Sequence, residues 1–136
     1  MHHLHLNHWA ILVSAVIQWL LGALWYSPAL FARPWMAMAG VRMDARKNNR
    51  MIVGMVASFV GSLVTSFMLA QVVMWAGAET YYLGALIGFI LWLGFIAAPL
   101  LASYVYEGRP FELFAINSGY WMVGLCITGG LLAVWH

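Results

Sequence analysis

The side chains best suited to metal chemistry are histidines gathered near the start of the chain. His2, His3, His5 and His8 lie close together, and His136 is the last residue. Imidazole nitrogens bind zinc and copper, and the spacing of His5 and His8 would allow them to share one face of a helix. No carboxylate accompanies them, and the segment is terminal. A metal site at these histidines is therefore a hypothesis that the sequence favours less than an interfacial role, and no cofactor is predicted.

The chain lacks the residue patterns of known catalytic sites. It has no paired-carboxylate site, no Gly-rich phosphate loop, no Cys-x-x-Cys motif and no Ser-His-Asp set that one face would bring together. The charges near Glu107, Arg109 and Glu112 are better explained as helix capping, ion pairing or contact with a lipid phosphate. The sequence therefore predicts a protein that is not an enzyme.

The composition indicates whether the chain folds in water or in a membrane. Of the 136 residues, 65% are hydrophobic and 7% are charged, and the mean hydropathy is +0.87. Soluble domains have about 25% charged residues, so a water-soluble domain is nearly excluded. A net charge of +2 provides no phosphate-binding patch for nucleic acid. The chain is predicted to be an integral membrane protein.

Long stretches without Asp, Glu, Lys or Arg predict four membrane spans. A helix needs about 20 apolar residues to cross the hydrocarbon layer. Runs such as 87–93 lack the polar alternation of membrane β-strands. The expected fold is therefore all-α, a single four-helix membrane domain over residues 1–136. The spans are expected near 9–26, 51–76, 81–106 and 111–135.

The basic residues indicate how the spans are oriented. Arg109 lies between spans three and four, and the loop between spans two and three carries only Glu79. Because basic loops stay in the cytoplasm, the first and third loops are predicted to be cytoplasmic and both termini non-cytoplasmic. The basic residues of the first loop are Arg33, Arg42, Arg46, Lys47 and Arg50.

Small residues and loop lengths predict how the spans pack. The short loop 77–80 predicts that spans two and three form a hairpin in contact. Pro99 removes a backbone hydrogen bond and is expected to bend or break span three near 95–98. Span two presents small residues at four-residue spacing, which predicts a helix–helix face toward span three or toward a second copy. These residues are Gly54, Ser58, Ser62 and Ser66.

Polar residues of span one lie on a single helical face. Asn7, Ser14, Gln18, Gly22 and Trp25 are separated by seven, four, four and three residues. Polar groups in a membrane need partners or water, so these residues either form hydrogen bonds between helices or line a polar pathway. No carboxylate or lysine lies in the middle of a span, which argues against an ion-coupled carrier.

Four motifs occur in order along nearly the whole chain. They are Trp25-Tyr26-Ser27-Pro28, Gly88-Phe89 followed by Trp92, Glu107-Gly108-Arg109-Pro110, and Asn117-Ser118-Gly119-Tyr120-Trp121. Together they resemble the family catalogued as domain of unknown function 1761. The resemblance implies a small four-span protein of the bacterial inner membrane and no established activity. The His-rich start and residues 32–34 depart from the family pattern, so the resemblance does not support a metal site.

The recurrent motifs gather at the cytoplasmic membrane boundary, where a site is predicted. This cluster is either a structural clasp or a pocket for a lipid headgroup or small apolar ligand. The predicted function is binding of such a ligand, with membrane lipids as partners and a homo-oligomer as the assembly. The alternatives are an accessory subunit of a larger membrane complex, or a small channel or exporter between copies, lined by Gln18 and Asn117. The predicted site residues are Trp25, Tyr26, Glu107, Arg109, Asn117 and Tyr120.

Overall fold

The chain folds into helices joined by short turns. The structure, a computed structural model, describes residues 6–27, 30–39 and 48–135, and no strand occurs in these ranges. Four stretches are long and apolar enough to cross a membrane, which confirms the predicted all-α fold with four spans. The helices are α1 (His8–Trp25), α2 (Ala32–Ala39), α3 (Asn48–Ala76), α4 (Tyr81–Trp92), a π-helical turn (Leu93–Ala97), α5 (Ala98–Glu107) and α6 (Phe111–Val134).

Local side chains define where the helices begin and end. The Asn7 Oδ1 atom accepts hydrogen bonds from the backbone N–H groups of Trp9 and Ala10, at 3.0 and 3.1 Å. Asn7 is thus the N-cap of α1 rather than a polar residue within the span. Thr80 caps α4 in the same way, because its Oγ1 accepts from the N–H of Leu83 at 3.2 Å. Such caps satisfy N–H groups that a helix leaves unpaired.

Helix α6 lies at the centre of the bundle and contacts every other helix. Its closest partner is α4, where Gly84 and Gly88 face the backbone of Gly129 and Leu125. The expected contact of spans two and three is minor, because α4 packs along α6 and meets α3 at few positions. Glycines on both α4 and α6 let these two backbones approach, and this close packing decides the pairing.

Helix α3 packs mainly against α1. The Trp19 indole N–H donates to the Met55 carbonyl at 3.2 Å, and its ring lies edge-on to Phe59. Only half of the predicted small-residue stripe of α3 packs within the chain. Ser62 and Ser66 are buried within the chain, whereas Gly54 and Ser58 are exposed.

Pro99 is accommodated by a wider turn rather than by a break in the span. The Ala98 N–H donates to the Leu93 carbonyl, five residues back, within the π-helical turn. Pro99 has no N–H to continue the usual pattern, and the wider turn shifts the hydrogen bonding past it. The helical span therefore continues without a break over Tyr81–Glu107.

Large apolar side chains cover the outside of the bundle. Exposed examples on different spans include Leu20, Val60, Ile90 and Phe95. A surface of this kind is unfavourable in water and suits a lipid environment. The four apolar helices and their exposed faces are those of a multi-pass membrane protein.

Candidate functional site

Asn117 links three helical segments at the end of the bundle where α1 ends and α6 begins. The Tyr26 hydroxyl donates to Asn117 Oδ1 at 2.8 Å. The Asn117 Nδ2 group donates to the Tyr104 hydroxyl at 2.7 Å. One amide thereby joins the end of α1, the end of α5 and the start of α6. We call Tyr26, Tyr104, Arg109, Asn117 and Tyr120 the Asn117 cluster.

Two further aromatic residues fix α1 against α6 beside Asn117. The Trp25 indole N–H donates to the Ile116 carbonyl at 2.9 Å. The Tyr120 hydroxyl donates to the backbone carbonyl of Gln18 at 2.8 Å, and the Tyr120 ring lies 5.8 Å from that of Tyr26. These bonds tie the two helices together over about two turns of α1.

Helix α2 lies over the Asn117 cluster. The Trp35 ring is 5.0 Å from the Tyr26 ring, and Phe31, just before α2, is 4.9 Å from Trp25. Burial, and then the nearby Tyr120 and Tyr104, raise the pKa of the Tyr26 hydroxyl, which lies just beyond the end of α1. Tyr26 is therefore neutral at physiological pH, which suits its role as a hydrogen-bond donor to Asn117.

Arg109 brings a positive charge to the cluster. Its guanidinium carbon lies 4.2 Å from the centroid of the Tyr104 ring, a cation–π contact. Arg109 Nη1 is 3.7 Å from Glu107 Oε1, and the two side chains are 39% and 54% exposed. An exposed pair at this distance contributes little to stability. The guanidinium therefore keeps N–H groups that can bind a further anion.

A glycine positions Arg109 above Tyr104. Gly108 has a φ of +70° and ends α5 in the left-handed conformation. The turn lets the Arg109 backbone N–H donate to the Tyr104 carbonyl at 2.9 Å. The chain thus changes direction directly after α5, and this places the Arg109 side chain over the Tyr104 ring.

Replacing Gly108 by alanine is expected to lower the free energy of unfolding by about 1 kcal/mol, because a Cβ atom is strained at positive φ. Denaturant titration in mixed micelles measures the change. Gly94→Ala is the matched control, since Gly94 lacks a positive φ and a Cβ there meets nothing within 4 Å. Equal stability of the Gly108→Ala variant and the unchanged protein would contradict the strained turn.

The structure brings the six predicted site residues to one end of the bundle. Tyr26 and Asn117 are in direct contact, whereas Glu107 and Arg109 join through Tyr104. The predicted site residues did not include Tyr104, although it is only 4% exposed and bonds directly to Asn117. Its spacing from Ala97 and Leu100, on the buried face of the same span, is the signal that could have identified it.

The deeper polar residues lie within the bundle. Gln18 and Ser14 are buried on α1, one turn apart. His8 is exposed at the start of α1, and His2, His3 and His5 lie outside the described residues. Among residues 6–27, 30–39 and 48–135, no three His, Cys, Asp or Glu residues lie close enough to hold a metal ion.

The Asn117 cluster combines neutral hydrogen-bonding groups with one accessible cation. Tyrosines and an amide hold each other in fixed positions, and the guanidinium sits at their solvent-facing edge. Guanidinium groups bind carboxylates and phosphates through paired N–H donors. This arrangement is suited to binding an anionic group.

Comparison with known proteins agrees with the motifs of the sequence. The sequence profile of the family described as "Protein of unknown function (DUF1761)" matches residues 9–133. No curated protein and no solved structure matches the chain. The matched range includes the whole Asn117 cluster and nearly all of the four spans. The chain belongs to the DUF1761 family.

Proposed function

We propose that this protein binds the headgroup of an anionic phospholipid at the Asn117 cluster, in a binding rather than a catalytic role. The observation that carries the proposal is the placement of Arg109. Its guanidinium is held over the Tyr104 ring, remains 39% exposed, and pairs only loosely with Glu107. A phosphate oxygen is a stronger partner for such a group than a carboxylate 3.7 Å away.

The surface around Arg109 suits the rest of a lipid molecule. Val105, Tyr106 and Phe111 flank the turn and expose large apolar side chains. Acyl chains can pack on these side chains while the phosphate contacts the guanidinium. Arg33, on α2, is a second exposed cation in the described part of the same end of the bundle. The combination favours a lipid over a free anion.

The proposed orientation places this end of the bundle in the cytoplasmic leaflet of the bacterial inner membrane. The basic residues of the sequence fall between the first and second spans and between the third and fourth, and basic loops are retained in the cytoplasm. The cytoplasmic leaflet is rich in anionic lipids, each basic residue contributing about 1 kcal/mol of attraction. The orientation and the proposed ligand are therefore consistent.

Arg109→Gln is expected to weaken binding of phosphatidylglycerol about fivefold, which corresponds to the loss of about 1 kcal/mol. Native mass spectrometry of the whole protein in mild detergent, titrated with phosphatidylglycerol, measures the bound fraction. Phosphatidylcholine, which is zwitterionic, is expected to bind more weakly to the unchanged protein and to respond little to the substitution.

Arg33→Gln is the matched control, because it removes an exposed arginine from the same end without touching the Tyr104 contact. A defined site requires Arg109→Gln to have the larger effect. Equal losses for the two variants would show general attraction to a basic surface and would contradict a site at the Asn117 cluster. The same spectra report the number of copies and any co-purifying polypeptide.

A second candidate function is that of a subunit in a membrane assembly, either a homo-oligomer or a complex with other proteins. The exposed half of the small-residue stripe on α3 favours it. A Cβ atom at Gly54 or Gly61 would meet nothing within 4 Å in the described chain, so another helix could approach there. The channel alternative has no comparable support, since Gln18 is buried inside one copy and the Asn117 amide is bonded to Tyr26 and Tyr104.

A further inference from the structure

Two polar side chains in the interior of the bundle have no hydrogen-bond partner among the described residues. They are Ser14, through its Oγ, and Gln18, through both Oε1 and Nε2. Ser14 is 0% exposed and Gln18 is 1% exposed. The two residues are four positions apart on α1, so their side chains lie on the same face of the helix. Three unpaired polar atoms are thereby gathered in one part of the bundle.

Two buried hydroxyl groups of α6 are satisfied within their own helix. Ser118 Oγ donates to the Phe114 carbonyl at 2.7 Å, and Thr128 Oγ1 donates to the Gly124 carbonyl at 2.8 Å. In each case the acceptor lies one turn back. Ser14 has the equivalent carbonyl, that of Ala10, but does not bond to it. Its hydroxyl is therefore available to a group between the helices.

Residues of α6 lie next to Gln18, and α3 packs against the same helix. On α6, the Tyr120 hydroxyl donates to the Gln18 backbone carbonyl, and Gly124 provides the space in which the Gln18 amide sits. On α3, Ser62 and Ser66 are buried hydroxyl residues. No Asp, Glu, Lys or Arg lies in the middle of α1, α3 or α6. The region is polar and uncharged.

This set of atoms selects the chemistry of its ligand. The Gln18 amide supplies two N–H donors and a carbonyl acceptor, and the Ser14 hydroxyl is both donor and acceptor. A cation would need several oxygen ligands and a compensating charge, and an anion would need a nearby positive charge. A small neutral molecule that both donates and accepts satisfies all three atoms. Water is the smallest such molecule, and a buried water forms about three hydrogen bonds.

We propose that Ser14 and Gln18 bind water inside the bundle, at the interface of α1, α3 and α6. Leaving polar groups unpaired in an apolar interior is unfavourable, and a bound water removes this penalty by supplying the missing hydrogen bonds. The site lies deeper than the Asn117 cluster and does not depend on lipid binding there.

Magnetic resonance of the glutamine side chains tests the proposal. The chain contains two glutamines, Gln18 and Gln71. In a Gln71→Leu background, protein labelled with ¹⁵N at glutamine gives one side-chain amide signal, which Gln18→Met removes and so assigns. In lipid nanodiscs, this signal is expected to receive magnetisation from water through space. Ser14→Ala is expected to weaken the transfer, because it removes one of the groups that hold the water.

Absence of transfer from water to the Gln18 amide would overturn the proposal, as would transfer of equal strength in the Ser14→Ala variant. Thermal stability provides a second measurement. If the Gln18 amide binds water, Gln18→Met is expected to leave the melting temperature unchanged or lower. If the amide were unpaired and dry, the apolar side chain of similar size would raise the melting temperature, and the proposal would fail.

Discussion

Replacing Gly88 by alanine is expected to lower the free energy of unfolding by about 3 kcal/mol, the upper end of the usual cost of overpacking. A Cβ atom at Gly88 would collide with the backbone of Leu125 on α6, and backbone cannot move aside as a flexible side chain can. Since α4 packs more extensively on α6 than any other helix does, separating them disrupts the largest interface of the bundle. Denaturant titration in mixed micelles, followed by tryptophan fluorescence, measures the loss.

Gly61→Ala is the control for the Gly88 substitution. Gly61 is exposed in the middle of α3, and a Cβ there meets nothing within 4 Å. Because alanine favours a helix more than glycine does, this variant is expected to be at least as stable as the unchanged protein. Similar losses for Gly61→Ala and Gly88→Ala would show a general response to lost glycine flexibility, and the close α4–α6 contact would then be wrong.

Replacing Asn117 by leucine is expected to destabilise the bundle by about 2 kcal/mol. The substitution removes the bonds to both Tyr26 and Tyr104 and leaves their hydroxyls without this partner in a partly buried region. Hydrogen bonds between membrane helices contribute about 1 kcal/mol each. Unfolding in mixed micelles measures the change.

Single replacement of either tyrosine by phenylalanine isolates one bond of the network. Tyr26→Phe and Tyr104→Phe are each expected to have about half the effect of Asn117→Leu. In the Asn117→Leu background, both are expected to have little further effect, because the partner is already absent. Tyr106→Phe, at a fully exposed position, is the neutral control. Additive effects of the substitutions would contradict a connected network.

The membrane spans could be predicted from the sequence because a charged side chain is unfavourable in the apolar interior of a membrane, whichever helix lies next to it. The predicted spans end within a few residues of the apolar helices observed. Gly108 carried similar information, since it ends α5 through its own backbone conformation, whereas Asn7, assigned to the polar face of span one, caps that helix instead. Such features depend on a few adjacent residues, and the sequence displays them directly.

The partners of the spans depend on contacts between residues far apart in the chain. The short loop before α4 suggested α3 as its neighbour, whereas the glycines of α4 fit the backbone of α6. The role of Tyr104 likewise depends on its bond to Asn117, which lies on a different span. The periodicity of apolar residues identifies the buried face of a helix, but it does not identify the helix that packs against that face.

The central position of α6 has a consequence for biogenesis. The ribosome makes this segment after the other helices, so the earlier spans enter the bilayer before the element that joins them exists. Until residues 111–134 are inserted, Gly84 and Gly88 on α4, and Gln18 on α1, lack the surfaces against which they finally pack. The bundle can therefore close only late in synthesis, once α6 has been inserted.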